Sequence, residues 1–152
     1  MAAFMDVLKQ LAIATLMVSV TVLVHFIGLS GLLALIGRYR PSAGRTRSIM
    51  SDAAAILAAA FGLFALHGIE IWSYALLYWS TSAIQTFEAA LYFSTSTYAT
   101  IGYGDLVLPA NSRLIGAIEG ANGIILLGWS TAFFFAVVDR MKLLERELEN
   151  AN

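Results

Sequence analysis

The sequence predicts an all-α membrane protein with three spanning helices and one shorter re-entrant helix that dips into the bilayer and returns. Three observations predict it. Of the 152 residues, 59% are hydrophobic and only 12% are charged, far from the shares of a water-soluble domain. The apolar residues stand in long blocks instead of being dispersed at core spacing. Between the second and third blocks lies a stretch that is too short and too polar at its end to cross the bilayer and come back as two full spans.

The first block, residues 11–36, has no Asp, Glu, Lys or Arg and exceeds the ~20 residues a helix needs to cross a bilayer. A cleaved signal peptide fits less well: its apolar core would be about 7–15 residues behind a positive region, whereas here Lys9 is offset by Asp6. Residues 1–37 therefore form an N-terminal transmembrane helix, and residues 38–51 form a basic loop with Pro41 and Gly44 as its turn residues. Ser51 and Asp52 offer a helix cap for the second block. That block runs over residues 53–69 without an ionised group, and Trp72, Tyr74, Tyr78 and Trp79 follow it as expected of amphipathic rings at headgroup level. The third block, residues 114–138, is interrupted only by Glu119. Residues 52–138 thus read as one unit: an outer helix, a short helix at 86–98, a loop at 100–105 and an inner helix at 112–138. Residues 139–152 read as a helical tail, with Met141, Leu144 and Leu148 at helical spacing among charges.

Charge gives the orientation. Arg38, Arg40, Arg45 and Arg47 precede the second block with no acid before Asp52, and positive loops stay cytoplasmic. Arg140, Lys142 and Arg146 place the tail on the same side, while residues 70–105 contain no Lys or Arg and belong outside. Three spans then put the N-terminus outside and the C-terminus in the cytoplasm, in a plasma (inner) membrane. A net charge near zero, with its bases clustered in one loop, offers no nucleic-acid surface. No cysteine is present for a disulfide or thiolate site. No nucleophile or acid–base constellation marks an enzyme, and no small-molecule substrate or cofactor is expected.

Residues 88–98 read as a short helix with Glu88 in its first turn, and the Gly102-Tyr103-Gly104 stretch behind it ends the helix. Non-helical backbone at membrane depth is tolerated where it is buried in protein or lines a water-filled path. The run Thr97, Tyr98, Ala99, Thr100, Ile101, Gly102, Tyr103, Gly104, Asp105 behind a short helix resembles the pore loop of the potassium channel superfamily. The likeness extends over residues 88–138, with Arg113 opening the last span and Gly123 where such channels often carry a hinge glycine. Ala99 departs from the pattern, since a hydroxyl residue is frequent there.

The resemblance implies a homotetramer around a central axis that passes K+ passively, with the lipid bilayer as its surroundings. The backbone carbonyls of Thr100, Ile101, Gly102 and Tyr103 would replace the ion's hydration shell, and the Thr100 hydroxyl would complete the innermost site. Gly102 and Gly104 suit a strand whose alternate residues leave the β-region. Ile101 and Tyr103 would point away from the ions onto the short helix, and the intact Tyr103 favours potassium over sodium. Asp105 closes the filter, and Thr97 supports it from behind. On the last helix, Ile124, Leu127, Thr131 and Phe135 share one stripe, which comparison with related channels places along the central cavity with Phe135 as an apolar gate. Gly123 and Gly128 are hinge candidates, or else small residues that admit a neighbouring helix. A non-conducting scaffold or sensor on a relict pore domain is the alternative, disfavoured by the intact filter. A transporter is disfavoured by the lack of paired broken helices.

Glu119 stands inside a span, where an ionisable residue is a functional candidate by default. It is expected to hydrogen-bond the back of the short helix near Ser96 or Thr97. His67 and Glu70 stand at i and i+3 and could pair, but read better as interfacial residues at the outer end of the second span. His25 reads as a hydrogen-bonded packing residue. Two histidines on separate spans show no metal-ligand spacing. No regular Arg or Lys series marks a voltage sensor.

Overall fold

The computed structural model describes residues 1–38 and 49–149. Four helices make up the described fold: α1 (Ala2–Arg38), α2 (Ile49–Ser80), α3 (Phe87–Tyr98) and α4 (Arg113–Glu149). Stretches of α1, α2 and α4 are long and apolar enough to cross a membrane, at Phe4–Gly37, Ala53–Ser80 and Arg113–Asp139. At 1.5 Å per residue, α3 is only about 18 Å long, well short of a hydrocarbon core of about 30 Å. Large apolar side chains such as Leu16, Leu23, Phe26, Phe61 and Phe64 are exposed along the long helices, as lipid-facing positions require. Arg40, Arg45 and Arg47 of the basic loop lie outside the described residues.

The second helix differs from the sequence expectation at both ends. Within the described residues it runs from Ile49, so Ser51 and Asp52 lie inside the helix, where the sequence expectation placed its start. It also runs on to Ser80. Tyr74 and Tyr78 are therefore core residues, fully buried, and only Trp72 and Trp79 remain about half exposed. The sequence carries no glycine at this terminus. The stop is made by Ser82, whose positive φ of 57° allows Ser82 N–H to reach Trp79 O and Ala83 N–H to reach Tyr78 O, a Schellman pair without its usual glycine.

The short helix is bracketed with similar economy. Thr86 is its N-cap, accepting a hydrogen bond from Ala89 N–H at 3.2 Å. At its C-terminal end Thr100 N–H bonds Thr97 O and Ile101 N–H bonds Ser96 O, with Thr100 in the left-handed conformation at φ 59°. The residue that ends the helix is thus the first residue of the loop.

α3 lies between α2 and α4 over a core of Tyr74, Ala75, Tyr78, Ile84, Ala90, Leu108 and Ile115, to which α1 adds Ala14. α1 and α2 close together through Leu29, Leu63 and Leu66. There Gly28 lies against Leu66 and Gly62 against Leu32, and a Cβ at either glycine would displace the leucine side chain, the small-residue packing that lets membrane helices approach. Three polar ties join α1 to α4. Buried Gln10 accepts from Leu114 N–H at 3.0 Å, supplying an acceptor to a first-turn amide. Asn122 Nδ2 donates to Thr21 Oγ1 at 2.9 Å. Ser130 Oγ stands 3.4 Å from His25 Nε2.

Candidate functional site

The loop after α3 has an alternating backbone. Thr100, Gly102 and Gly104 have φ of 59°, 58° and 77°, while Ile101 and Tyr103 between them do not enter the left-handed region. In an extended chain successive carbonyls point to opposite sides. Placing every second residue in the left-handed region turns them toward a common side. Glycine takes this conformation at no steric cost, but Thr100, with its branched Cβ, takes it under strain. The start of the loop is anchored on the helix that precedes it, with Ile101 and Gly102 N–H both directed at Ser96 O, at 2.8 and 3.2 Å.

A second anchor comes from the side. Tyr92 on α3 donates its hydroxyl to Asp105 Oδ2 at 2.8 Å, and its ring stacks on Tyr103 with centroids 6.3 Å apart and planes at 7°. Asp105 Oδ1 also accepts from Leu106 N–H. Tyr103 is thus directed toward the short helix, as the resemblance implies, yet it remains 68% exposed and Ile101 53% exposed in the single chain. Thr97 is half-buried, and its backbone oxygen faces Gly120 of α4 across 3.4 Å as measured to a Cβ placed there.

Glu119 lies at the back of α3, fully buried. It accepts from Ser94 Oγ at 2.5 Å and from Tyr78 OH at 2.7 Å, and Ser94 Oγ also reaches Ile71 O at 2.9 Å. The partner on the short helix is therefore Ser94, not Ser96 or Thr97, because a helix turns the face of Ser94 toward α4 and α2. One carboxylate joins α2, α3 and α4.

The glycines of α4 separate. A Cβ on Gly123 would run into the carbonyl of Tyr98, the last residue of α3. Two backbones approach closely there, and the space the glycine leaves is filled by the end of the short helix. Gly128 has nothing within 4 Å of such a Cβ. Ile124, Thr131 and Phe135 are exposed and Leu127 is half-buried, so this stripe, with Gly128, faces away from the other helices of the chain. Thr131 Oγ1 bonds back to Leu127 O at 2.8 Å.

His67 and Glu70 depart furthest from expectation. Glu70 is fully buried, not interfacial. It meets His25 of α1 at 2.8 Å, His67 at 3.0 Å and the hydroxyl of Tyr98. The sequence concealed this cluster because His25 and Glu70 are 45 residues apart. The spacing of Gln10, Thr21 and His25, which keeps them on one face of α1, was the available signal.

A family model described as ion channel matches residues 54–140. No curated protein and no solved structure matches the chain.

Proposed function

The chain belongs to the ion channel family, whose model covers more than half of it, and on that premise we propose that it is one subunit of a homotetrameric, potassium-selective channel. The observation that carries this reading is the alternation at Thr100, Gly102 and Gly104. It supports a column of carbonyl oxygens from Thr100 to Tyr103 that exchanges for the hydration shell of K+ when four copies surround one axis. Each copy supplies a quarter of every ring of oxygens. Ile101 and Tyr103, largely uncovered in the single chain, then pack behind the filter against the neighbouring subunit. The stripe of Ile124, Leu127, Thr131 and Phe135, exposed but for half-buried Leu127, then lines the cavity below.

Selectivity in this reading needs the oxygens held at a set radius, and the surrounding residues supply the hold. Tyr92 ties Asp105 and stacks on Tyr103 from the side, while Glu119 ties Ser94 from behind. The carbonyl end of α3, with its partial negative charge, adjoins the first filter residue and favours a cation there. Transport is passive, without cofactor or small-molecule substrate, across a plasma (inner) membrane with the N-terminus outside and the C-terminus in the cytoplasm.

The test is flux through purified protein in liposomes under a potassium gradient, with sodium as control, beside light scattering of the detergent-solubilised complex. Selective K+ flux and a mass of about four chains are expected. Gly104→Ala should degrade the discrimination, because a Cβ at φ 77° costs about 1–2 kcal/mol in the left-handed conformation. Absence of flux under all conditions, or equal passage of sodium and potassium by the wild type, would overturn the proposal.

A further inference from the structure

Behind the short helix, His25 of α1 and His67 and Glu70 of α2 converge, with atoms able to bind a metal all within 4.8 Å of one another. His25 and Glu70 are fully buried, and the His67 side chain is 13% exposed. His25 Nδ1 stands 2.8 Å from Glu70 Oε1, and His67 Nδ1 stands 3.0 Å from Glu70 Oε2 and 3.0 Å from the Tyr98 hydroxyl. Tyr98 OH in turn contacts Glu70 Oε2. His67 Nδ1, Glu70 Oε2 and Tyr98 OH therefore touch one another mutually. With Glu70 ionised, at most two hydrogens, one on His67 Nδ1 and one on the Tyr98 hydroxyl, serve three contacts, so no set of well-aligned hydrogen bonds satisfies them all. The sequence has no Lys or Arg between residues 48 and 112, and the described ion-pair partners of Glu70 are the two histidines. A carboxylate buried in this way calls for a cation among its neighbours.

We propose that His25, His67 and Glu70 form a binding site for a divalent transition-metal ion of the zinc class, with the Tyr98 hydroxyl beside its fourth corner. Two imidazoles and one carboxylate are a ligand set that zinc accepts, leaving one position open. Bonds of about 2.0–2.1 Å in tetrahedral array set ligand atoms about 3.3 Å apart. His25 Nδ1 and His67 Nδ1 stand 2.8 and 3.0 Å from different oxygens of Glu70, Oε1 and Oε2, so with one carboxylate oxygen on the metal one of these contacts opens by a few tenths of an ångström and the other imidazole turns toward that oxygen. The ring of His25 is already oriented for the role. With Nδ1 on the metal, its Nε2–H donates to Ser130 Oγ, 3.4 Å away, the outer hydrogen bond that metal-bound histidines characteristically make. A metal here would join α1 to α2 beside the end of α3, two residues before Thr100. The inference does not depend on conduction or on which ion the channel passes.

The experiment uses the full chain purified without a polyhistidine tag, dialysed first against zinc and then against metal-free buffer. The wild type should retain about one zinc per chain, and its unfolding temperature should rise with added zinc. His25→Gln and His67→Gln should each lose retention, and Ser130→Ala should weaken it by about tenfold. X-ray absorption at the zinc edge of the wild type alone keeps the test decisive should a variant fail to fold. His25 and His67 are the chain's two histidines, so imidazole scattering around the metal identifies the site. No retained zinc and no thermal shift in the wild type would overturn the proposal and leave a hydrogen-bonded proton network. Retention undiminished in both histidine variants, or a zinc shell without imidazole, would overturn it equally.

Discussion

Replacing Gly123 and Gly128 of α4 separately by Ala separates close packing from bending as the reason for these glycines. Both substitutions gain the same helix propensity, about 1 kcal/mol for Ala over Gly, so that contribution cancels when the two variants are compared. What remains is the contact. At Gly123 the added methyl meets the carbonyl of Tyr98, which is backbone and cannot rotate aside, whereas at Gly128 it meets nothing within 4 Å in the chain. Forcing a methyl into filled space costs about 1–3 kcal/mol, so Gly123→Ala should be less stable than Gly128→Ala by that amount per chain. At roughly 2–4 °C per kcal/mol for a chain of this size, their melting temperatures in detergent should differ by about 2–12 °C. Because the displaced carbonyl belongs to the residue two before Thr100, Gly123→Ala should also lower potassium-over-sodium discrimination in liposome flux, and Gly128→Ala should not. Equal melting temperatures together with unchanged selectivity in Gly123→Ala would refute the close-approach reasoning and return the position to a hinge.

Glu119→Leu should destabilise the protein by about 1–3 kcal/mol, because the buried Tyr78 hydroxyl loses its acceptor while Ser94 keeps Ile71 O. Glu119→Gln should be milder, and thermal denaturation with equal losses in both variants would contradict this account. Tyr92→Phe removes only the hydroxyl bound to exposed Asp105, about 0.5–1.5 kcal/mol. It should fold normally but hold the filter less firmly, read as faster decay of potassium current during a sustained voltage step. An unchanged current time course would show that this bond does not brace the loop. Phe135→Ala should raise basal conductance without altering selectivity, since it widens an apolar constriction and leaves residues 100–103 untouched. Single-channel recordings with unchanged open probability would remove Phe135 from the gate.

Much of the fold was legible because bilayer thickness acts on local composition. Residues 11–36 and 114–138 announce their helices by length and lack of charge, and no tertiary partner is needed to make them span. The short helix was legible for a related reason, since Glu88 suits its first turn and the glycines behind it forbid continuation. The end of α2 was not legible. Its terminator is Ser82 in a conformation that usually signals glycine, and Tyr74 and Tyr78 look interfacial until α3 covers them. Glu119 lies at the back of α3, and its bond to Ser94 in place of Ser96 or Thr97 depends on the rotation of one helix against another.

The loop at residues 100–105 and the cluster around Glu70 differ most in this respect. Thr100 to Asp105 are consecutive, and Gly102 and Gly104 suit the left-handed conformation they adopt, so the place of the loop and most of its backbone follow from residue order, whereas Thr100 enters the same region against the preference of its branched Cβ. His25, His67, Glu70 and Tyr98 come from three helices, and each has an ordinary explanation on its own segment. Their meeting, and the polar seam that Gln10, Thr21 and His25 make between one face of α1 and α4, depend on how the helices pack. Hydrophobicity drives a helix into the membrane regardless of its neighbours. Which faces then touch is set by small residues such as Gly28, Gly62 and Gly123 and by buried polar groups that find partners only across the packed helices.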